Sequence, residues 1–595
     1  MTLSDFVRGL LGEPPIPSPS HPPQPHPQTA NPYANIAQGS GWTPRRRRST
    51  RRFLPRSLRR AIRFLKSNWL SFPLFVIVCF LLGAAVLPYD STLRLGVRWN
   101  WKRLVTGGRP SEEWVLRERP EYEVDWGRDV GVVLKTGYGT RGRVPAWFES
   151  VRGWGEVVVI ADYGGEMVLG DGGERVVKVY DMVERGLENP ILGGLLGHKR
   201  VGKYERLTAA VGAKDEELAR GLSKEFGWEL DALKFIPGLE FAYQRWPDKK
   251  WYLLVDDDTF LVETSVKRFL GHFDPEEKHY LGNAVGDFRA RFAHGGSAVI
   301  LSQAAMRALV KENPKALKTS YLESLDEVWG DRLLAKALIR VGIYLDERYA
   351  YLFNGEPPRR SKIRGDRMCS PILSFHTLPQ PEMMRDVGEH FRNVTEPVFW
   401  LDLWKIYGVP APWRWDPEMT KKTIKDPKQR EEMSRIVLRE VKSEWECLAE
   451  YNRRFRVSTG TGWAWGKPEP DVCVIFRSAP PFESEVDAWT LDWDYVGPVD
   501  EAVYTHENVA SAQDCMEKCT EKAFKKCIAW TWESSTGRCH VSPWMIVGEE
   551  VKEQDKVSGF NIRRVRKLER ECPTFDGYET TGAGGITASD YTWSN

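Results

Sequence analysis

Three consecutive carboxylates, Asp256, Asp257 and Asp258, close the run Trp251-Tyr-Leu-Leu-Val-Asp-Asp-Asp-Thr-Phe260. Adjacent like charges repel, so a folded chain keeps them ionised only beside a cation, basic side chains or water. A divalent metal on oxygen ligands meets that need, and such a metal commonly also takes the phosphates of a substrate. A solvated acidic turn is the plain alternative. Trp251–Val255 is apolar, too short for a helix and suited to a buried strand, which puts the acids where a strand opens into a loop.

Three later segments carry groups that could join them. Phe292-Ala-His-Gly-Gly-Ser-Ala-Val-Ile300 holds Gly295 and Gly296, which either let backbone approach a ligand closely or make a tight turn into a strand. Glu327-Val-Trp-Gly-Asp331 precedes the apolar-periodic stretch Leu333 to Val341, so Asp331 falls in a first helical turn. There a carboxylate also complements the helix terminus. His376 ends the strand-like run Ile372 to Phe375, where an imidazole serves as a ligand or as part of the frame.

The elements that must position these groups alternate in type. Val130–Leu134 and Val157–Ala161 are apolar, β-branched strands, the second ending at Asp162. A helix opened by Pro145 spans Val144–Val151. Asp215–Phe226 reads as a helix, Trp251–Val255 as the next strand and Glu263–His272 as a helix after the acids. This rhythm predicts an α/β fold with a largely parallel sheet. Ligands of such sheets gather beyond the carboxyl ends of the strands, where Asp162 and Asp256–Asp258 lie.

Taken in order, WYLLVDDDTF, FAHGGSAVILS, EVWGDRLLAKAL and ILSFHTLP resemble the successive motifs of the Fringe-like, glycosyltransferase family 31 β-1,3-glycosyltransferases. GWELDALKFIP resembles a segment of fungal and plant members. The resemblance covers residues 126–410 and implies a GT-A (Rossmann-like) domain performing inverting, Mn2+-dependent transfer from a UDP-sugar to a glycan or glycoprotein acceptor. It implies that Asp256, Asp258 and His376 hold the metal, with Asp258 the principal ligand. Asp257 would lie beside the donor sugar or ribose. Lys135, Thr136 and Asp162 would line the uridine pocket, and Gly295 and Gly296 would admit donor and acceptor. Inversion needs a carboxylate to deprotonate the acceptor hydroxyl, and Asp331 is assigned that role.

One departure stands out. Relatives carry two acids in a row where this chain has Gly330-Asp331. If the first were the essential one, Glu327 or Asp326 would have to substitute, or the chain would be a glycan-binding or adhesion protein that keeps the fold without turnover. A metal-dependent phosphohydrolase is a third reading.

The 595 residues are 42% hydrophobic and 28% charged, enough for several domains, and the formal net charge of +3 argues against nucleic-acid binding. Basic residues concentrate from Arg45 to Lys66 and stop at Trp69–Leu87, an uncharged apolar run long enough for one membrane helix. The long polar stretch ahead of it argues against a cleaved signal peptide. The charge asymmetry predicts a cytosolic tail over 1–66, an anchor over 67–88, and type II topology with a luminal C-terminal bulk, and the transferase resemblance implies the Golgi membrane. A stem is expected over 89–125. Eight of the nine cysteines fall on the luminal side, and Asn393-Val394-Thr395 is a glycosylation sequon there.

After a Trp-rich extension over 411–493, residues 494–566 carry a cysteine cluster, followed by a tail over 567–595. Cys515 and Cys519 sit four apart on one helix face, and Cys527–Trp532 and Cys539–Ser542 read as strands. Spacing alone leaves the pairing open and does not match a zinc site. The segment resembles a PAN/apple domain, a small disulfide-rich α+β module, which implies Cys519–Cys527 and Cys515–Cys539 bridges and a glycan or protein ligand.

Overall fold

The computed structural model describes mainly residues 85–106, 119–407 and 494–561, apart from short internal stretches. The expected anchor lies largely outside the described residues, as does most of the Trp-rich extension. Among the described residues, no helix is long and apolar enough to cross a membrane. The chain divides between Gly107 and Gly108. In the first unit the stem region contains a helix, Thr92–Thr106.

The second unit is built on a seven-stranded sheet. Its first five strands are β1 (Val130–Lys135), β2 (Glu156–Ala161), β3 (Gly165–Leu169), β4 (Arg175–Asp181) and β5 (Trp251–Asp256). The order is β3-β4-β2-β1-β5, then strand Val299–Ser302, then Tyr280–Gly282. β4, β2, β1 and β5 are parallel neighbours, while β3 and the last two strands run antiparallel to theirs. Every residue of β1 is buried, as a strand covered on both faces requires. β1 and β5 end level, Lys135 opposite Asp256, so the triplet opens beside Thr136.

The helix beginning after Asp215 is much longer than its sequence suggested. It runs from Glu216 to Arg245, capped by the Asp215 carboxylate on the Leu218 N–H, and passes through Pro237. Proline removes one helical hydrogen bond, but Leu233, Phe235, Ile236 and Leu239 around it are all buried. Tertiary packing holds the helix through the break. At Gly238 a Cβ would come within 2.5 Å of Ile160 Cδ1, so glycine sets how closely helix and sheet approach.

The C-terminal part is a five-stranded antiparallel sheet crossed by helix Ala512–Thr520. Cys515–Cys539 and Cys519–Cys527 are bonded as the PAN/apple resemblance implied. This part is joined closely to the α/β sheet domain. Strand Trp544–Met545 pairs with Ile363–Arg364, the Gly548 N–H donates to the Arg359 carbonyl, and the Lys362 ammonium lies 4.4 Å over the Trp544 ring. Tyr495, Trp544, Met545 and Val547 are buried in the same apolar core as the sheet domain.

Candidate active site

The carboxyl end of β5, the Gly295–Ser297 turn and the end of strand Ser374–Phe375 converge on one point. There Asp256, Asp258 and His376 each present a ligand atom, all within 4.8 Å of one another. His376 Nε2 stands 3.3 Å from Asp258 Oδ1. The imidazole's other nitrogen, Nδ1, faces the Gly355 carbonyl at 3.3 Å and the Thr377 hydroxyl at 3.1 Å. Burial alone would lower the His376 pKa, but the Asp258 carboxylate outweighs it and raises it. Burial likewise opposes the Asp258 charge, and the His376 pairing outweighs it, lowering the carboxyl pKa.

Each acid of the triplet has a distinct setting. Asp256 Oδ1 is 2.9 Å from the Lys135 ammonium. That ammonium's aligned hydrogen bonds go to both oxygens of Asp231, at 2.8 and 2.9 Å, so Oδ1 of Asp256 is buried without an aligned donor. Asp257 turns the other way, accepting the Thr136 hydroxyl at 2.6 Å and Arg143 Nη1 at 3.1 Å. Its burial, with Asp258 beside it, raises its pKa. Asp258 Oδ2 lies 3.3 Å from the same Arg143 nitrogen. Two carboxylates and an imidazole form a donor set that fits a divalent cation such as Mn2+.

The two glycines differ in what they admit. A Cβ on Gly296 would sit 2.2 Å from His376 Nε2, so this glycine makes room for the imidazole. Gly295 donates its N–H to Asp331 Oδ2 at 3.0 Å. Ala298 (φ 75°) and Thr377 (φ 60°), just past the turn and just past His376, are non-glycine residues in the left-handed region. Such backbone costs energy and concentrates at functional sites.

Asp331 occupies the first turn of helix Gly330–Arg340. Burial pushes its carboxyl up to about 6, against the opposing hydrogen bonds from the Gly295 and Arg332 N–H groups. Gly330 is explained by packing. A Cβ there would meet Phe235 Cδ2 at 2.1 Å, so the ring fills the space that an acid's side-chain stem would need. Neither alternative acid replaces it. Glu327 is ion-paired with Lys336 and Arg332, and Asp326 is 81% exposed beside His198.

The residues expected around uridine are tightly held. Asp162 is buried, its Oδ1 accepting the Tyr138 N–H at 2.8 Å while Oδ2 has no hydrogen-bond partner. The Thr136 hydroxyl is engaged by Asp257, and Lys135 is enclosed between Asp231 and Asp256.

Four participants were not singled out from sequence. Asp231 and Lys234 lie in GWELDALKFIP, a segment noticed without roles for its residues. Their acid–base pair one helical turn apart, 2.9 Å between charges, was the available signal. Lys234 also donates to the Thr136 carbonyl at 2.7 Å. His294 stands edge-on to His376 with ring centroids 5.3 Å apart. Arg143, 114 residues from Asp257, had no signal.

A mixed sheet whose central strands are parallel, with acids and an imidazole at their carboxyl ends, is an α/β architecture of the kind that gathers ligands at that edge. The family described as Fringe-like matches residues 232–329, and the PAN domain matches residues 497–563. The first match contains the Asp triplet and the Gly295–Gly296 turn. The chain thus carries a Fringe-like glycosyltransferase domain, of a family that takes UDP-sugar donors, and a C-terminal PAN domain with two disulfides.

Proposed function

We propose that this chain transfers a sugar, with inversion, from a UDP-sugar to a hydroxyl of a glycan or glycoprotein acceptor, forming a β-1,3 linkage. It does so in the Golgi lumen as a type II membrane protein, the Arg45–Lys66 charge ahead of the apolar run supporting that orientation. The observation that carries the reading is the meeting of Asp256, Asp258 and His376 from separate elements within 4.8 Å. Bound there, Mn2+ would neutralise charge on the departing diphosphate.

Asp331 takes the proton. With its carboxyl at about 6 it is ionised at neutral pH yet basic enough to accept a proton from the acceptor hydroxyl. That oxygen bonds to the sugar's anomeric carbon while the bond from that carbon to UDP breaks, its electron pair leaving with the diphosphate. The Gly295 N–H fixes the direction of the carboxylate. Lys135 and Arg143 hold the acids in place, and the buried Asp162 Oδ2 supports a donor-recognition role at the end of β2. The Phe235 ring gives Gly330 a packing role, which supports reading its departure from the two-acid pattern as structural.

The test is turnover of a UDP-sugar panel with Mn2+ by the native chain, Asp258→Ala and Asp331→Asn. Release of UDP by the native chain alone is expected. Equal activity in all three would refute the site.

A further inference from the structure

A groove of about 400 Å3 has a lining that includes Glu225, Trp228 and Glu229 from helix Glu216–Arg245 and Asp326 and Val328 from the loop before helix Gly330–Arg340. Trp228 is 67% exposed and Val328 49%. An indole and a valine side by side on the surface withhold apolar area that folding would otherwise bury, which marks a contact surface. The groove is also held in shape. Arg200, itself buried, donates from Nη1 to the Ser324 and Glu327 carbonyls at 2.6 Å each, fixing the loop against the neighbouring helix.

Both walls lead to the reacting groups. Asp231 follows Trp228 by three residues, about 4.5 Å along a helix, and contacts Lys135, which contacts Asp256. On the other wall Asp331 follows Val328 by three residues. A ligand lying on Trp228 and Val328 would rest on the same two elements that carry Asp231 and Asp331, three residues further along each.

The chemistry of the lining selects the ligand. A flat indole suits the C–H face of a pyranose ring, and carboxylates suit its hydroxyl rim. Glu229 is paired with Lys203, Asp326 lies beside His198, and Arg200 is engaged by backbone carbonyls, so the charges of the lining are largely compensated. A phosphate or an acidic sugar gains no net attraction there, whereas a neutral ring loses nothing. We propose that this groove is the acceptor site and takes a neutral saccharide ring stacked on Trp228. The proposal deepens the transferase reading and rests on it.

Binding can be followed without turnover. The full chain is titrated with methyl β-glycosides of galactose, N-acetylgalactosamine, N-acetylglucosamine, glucose and mannose, using tryptophan fluorescence and saturation-transfer NMR. At least one should bind. Trp228→Ala should weaken it about tenfold, the factor for losing roughly 60 Å2 of apolar contact, and Trp228→Phe should recover part of that loss. Stabilisation by UDP with Mn2+ should be the same in all three, which shows the fold and the donor side intact. Equal glycoside affinity in native and Trp228→Ala chains, or no binding by the native chain, overturns the proposal. Failure of the transferase reading shows differently: UDP-sugars neither stabilise nor turn over, whatever Trp228 does.

Discussion

Replacing Asp331 by Asn should abolish transfer and, at neutral pH, make the protein more stable. A buried carboxyl raised from the ordinary 3.8 to about 6 is held in the folded state against its preference to be neutral. Linkage fixes the sign. Its contribution is most favourable below pH 3.8 and is lost as pH rises through 6, where the folded site must carry the charge that burial disfavours. By linkage that rise corresponds to roughly 3 kcal/mol above pH 6. Asn keeps the shape and removes the charge, but its amide matches the Gly295 and Arg332 N–H groups less well than a carboxylate does. The amide's poorer match to one of these N–H groups takes back about 1–1.5 kcal/mol. The balance is a gain of roughly 1–2 kcal/mol, read as a few degrees in melting temperature at pH 7.5, fading toward pH 4.5. Thermal unfolding at the two pH values, beside transfer assays, decides the matter. An Asn variant less stable at pH 7.5, or one that retains transfer, would refute the burial argument or the assignment of the base respectively.

Restoring the two-acid pattern by Gly330→Asp should cost about 2–3 kcal/mol, because the new Cβ meets the Phe235 ring; denaturant unfolding should show partial relief in the Phe235→Ala background. Gly296→Ala displaces the His376 ring and should weaken Mn2+–UDP binding by about tenfold or more, as measured by calorimetry. Trp544→Ala should destabilise the transferase domain along with the PAN domain, by about 3–5 kcal/mol, since Trp544 is buried in their shared core. Separate unfolding transitions, with only the PAN signal shifted, would contradict that coupling.

How far the fold was legible depends on what each element had to satisfy. β1 and β5 are buried throughout most of their length, so their sequences are continuous apolar runs with only one reading. Helix Glu216–Arg245 was legible only to Phe226. Beyond it Gly227 and Pro237 signal a break locally, and the burial that overrides them comes from the sheet and neighbouring helices, which no short window contains. The PAN domain's two disulfides followed from resemblance. Its strand exchange with Ile363–Arg364 had no signature, because two paired residues on each side are too few to show a pattern.

The site divides along the same line. Groups whose chemistry is unusual at their position, the Asp triplet, the Gly pair and an imidazole at a strand end, could be singled out before their meeting was known. Groups that serve by compensating charge could not, because a surface Lys–Asp pair and a buried one read alike. Asp162, Asp231 and Asp256–Asp258 are accompanied by Lys135, Lys234, Arg143 and His376. Removing Lys135 or Arg143 would leave Asp256 or Asp257 without an ion-pair partner, which costs far more than an exposed charge does. Arg143 bridges two acids of the triplet from the end of the short 3-10 helix Tyr138–Arg143 that follows β1. The acids can therefore stand together without a metal, and their adjacency in sequence was tolerable to the fold only because basic residues from β1, the turn after it and the long helix arrive at the same place.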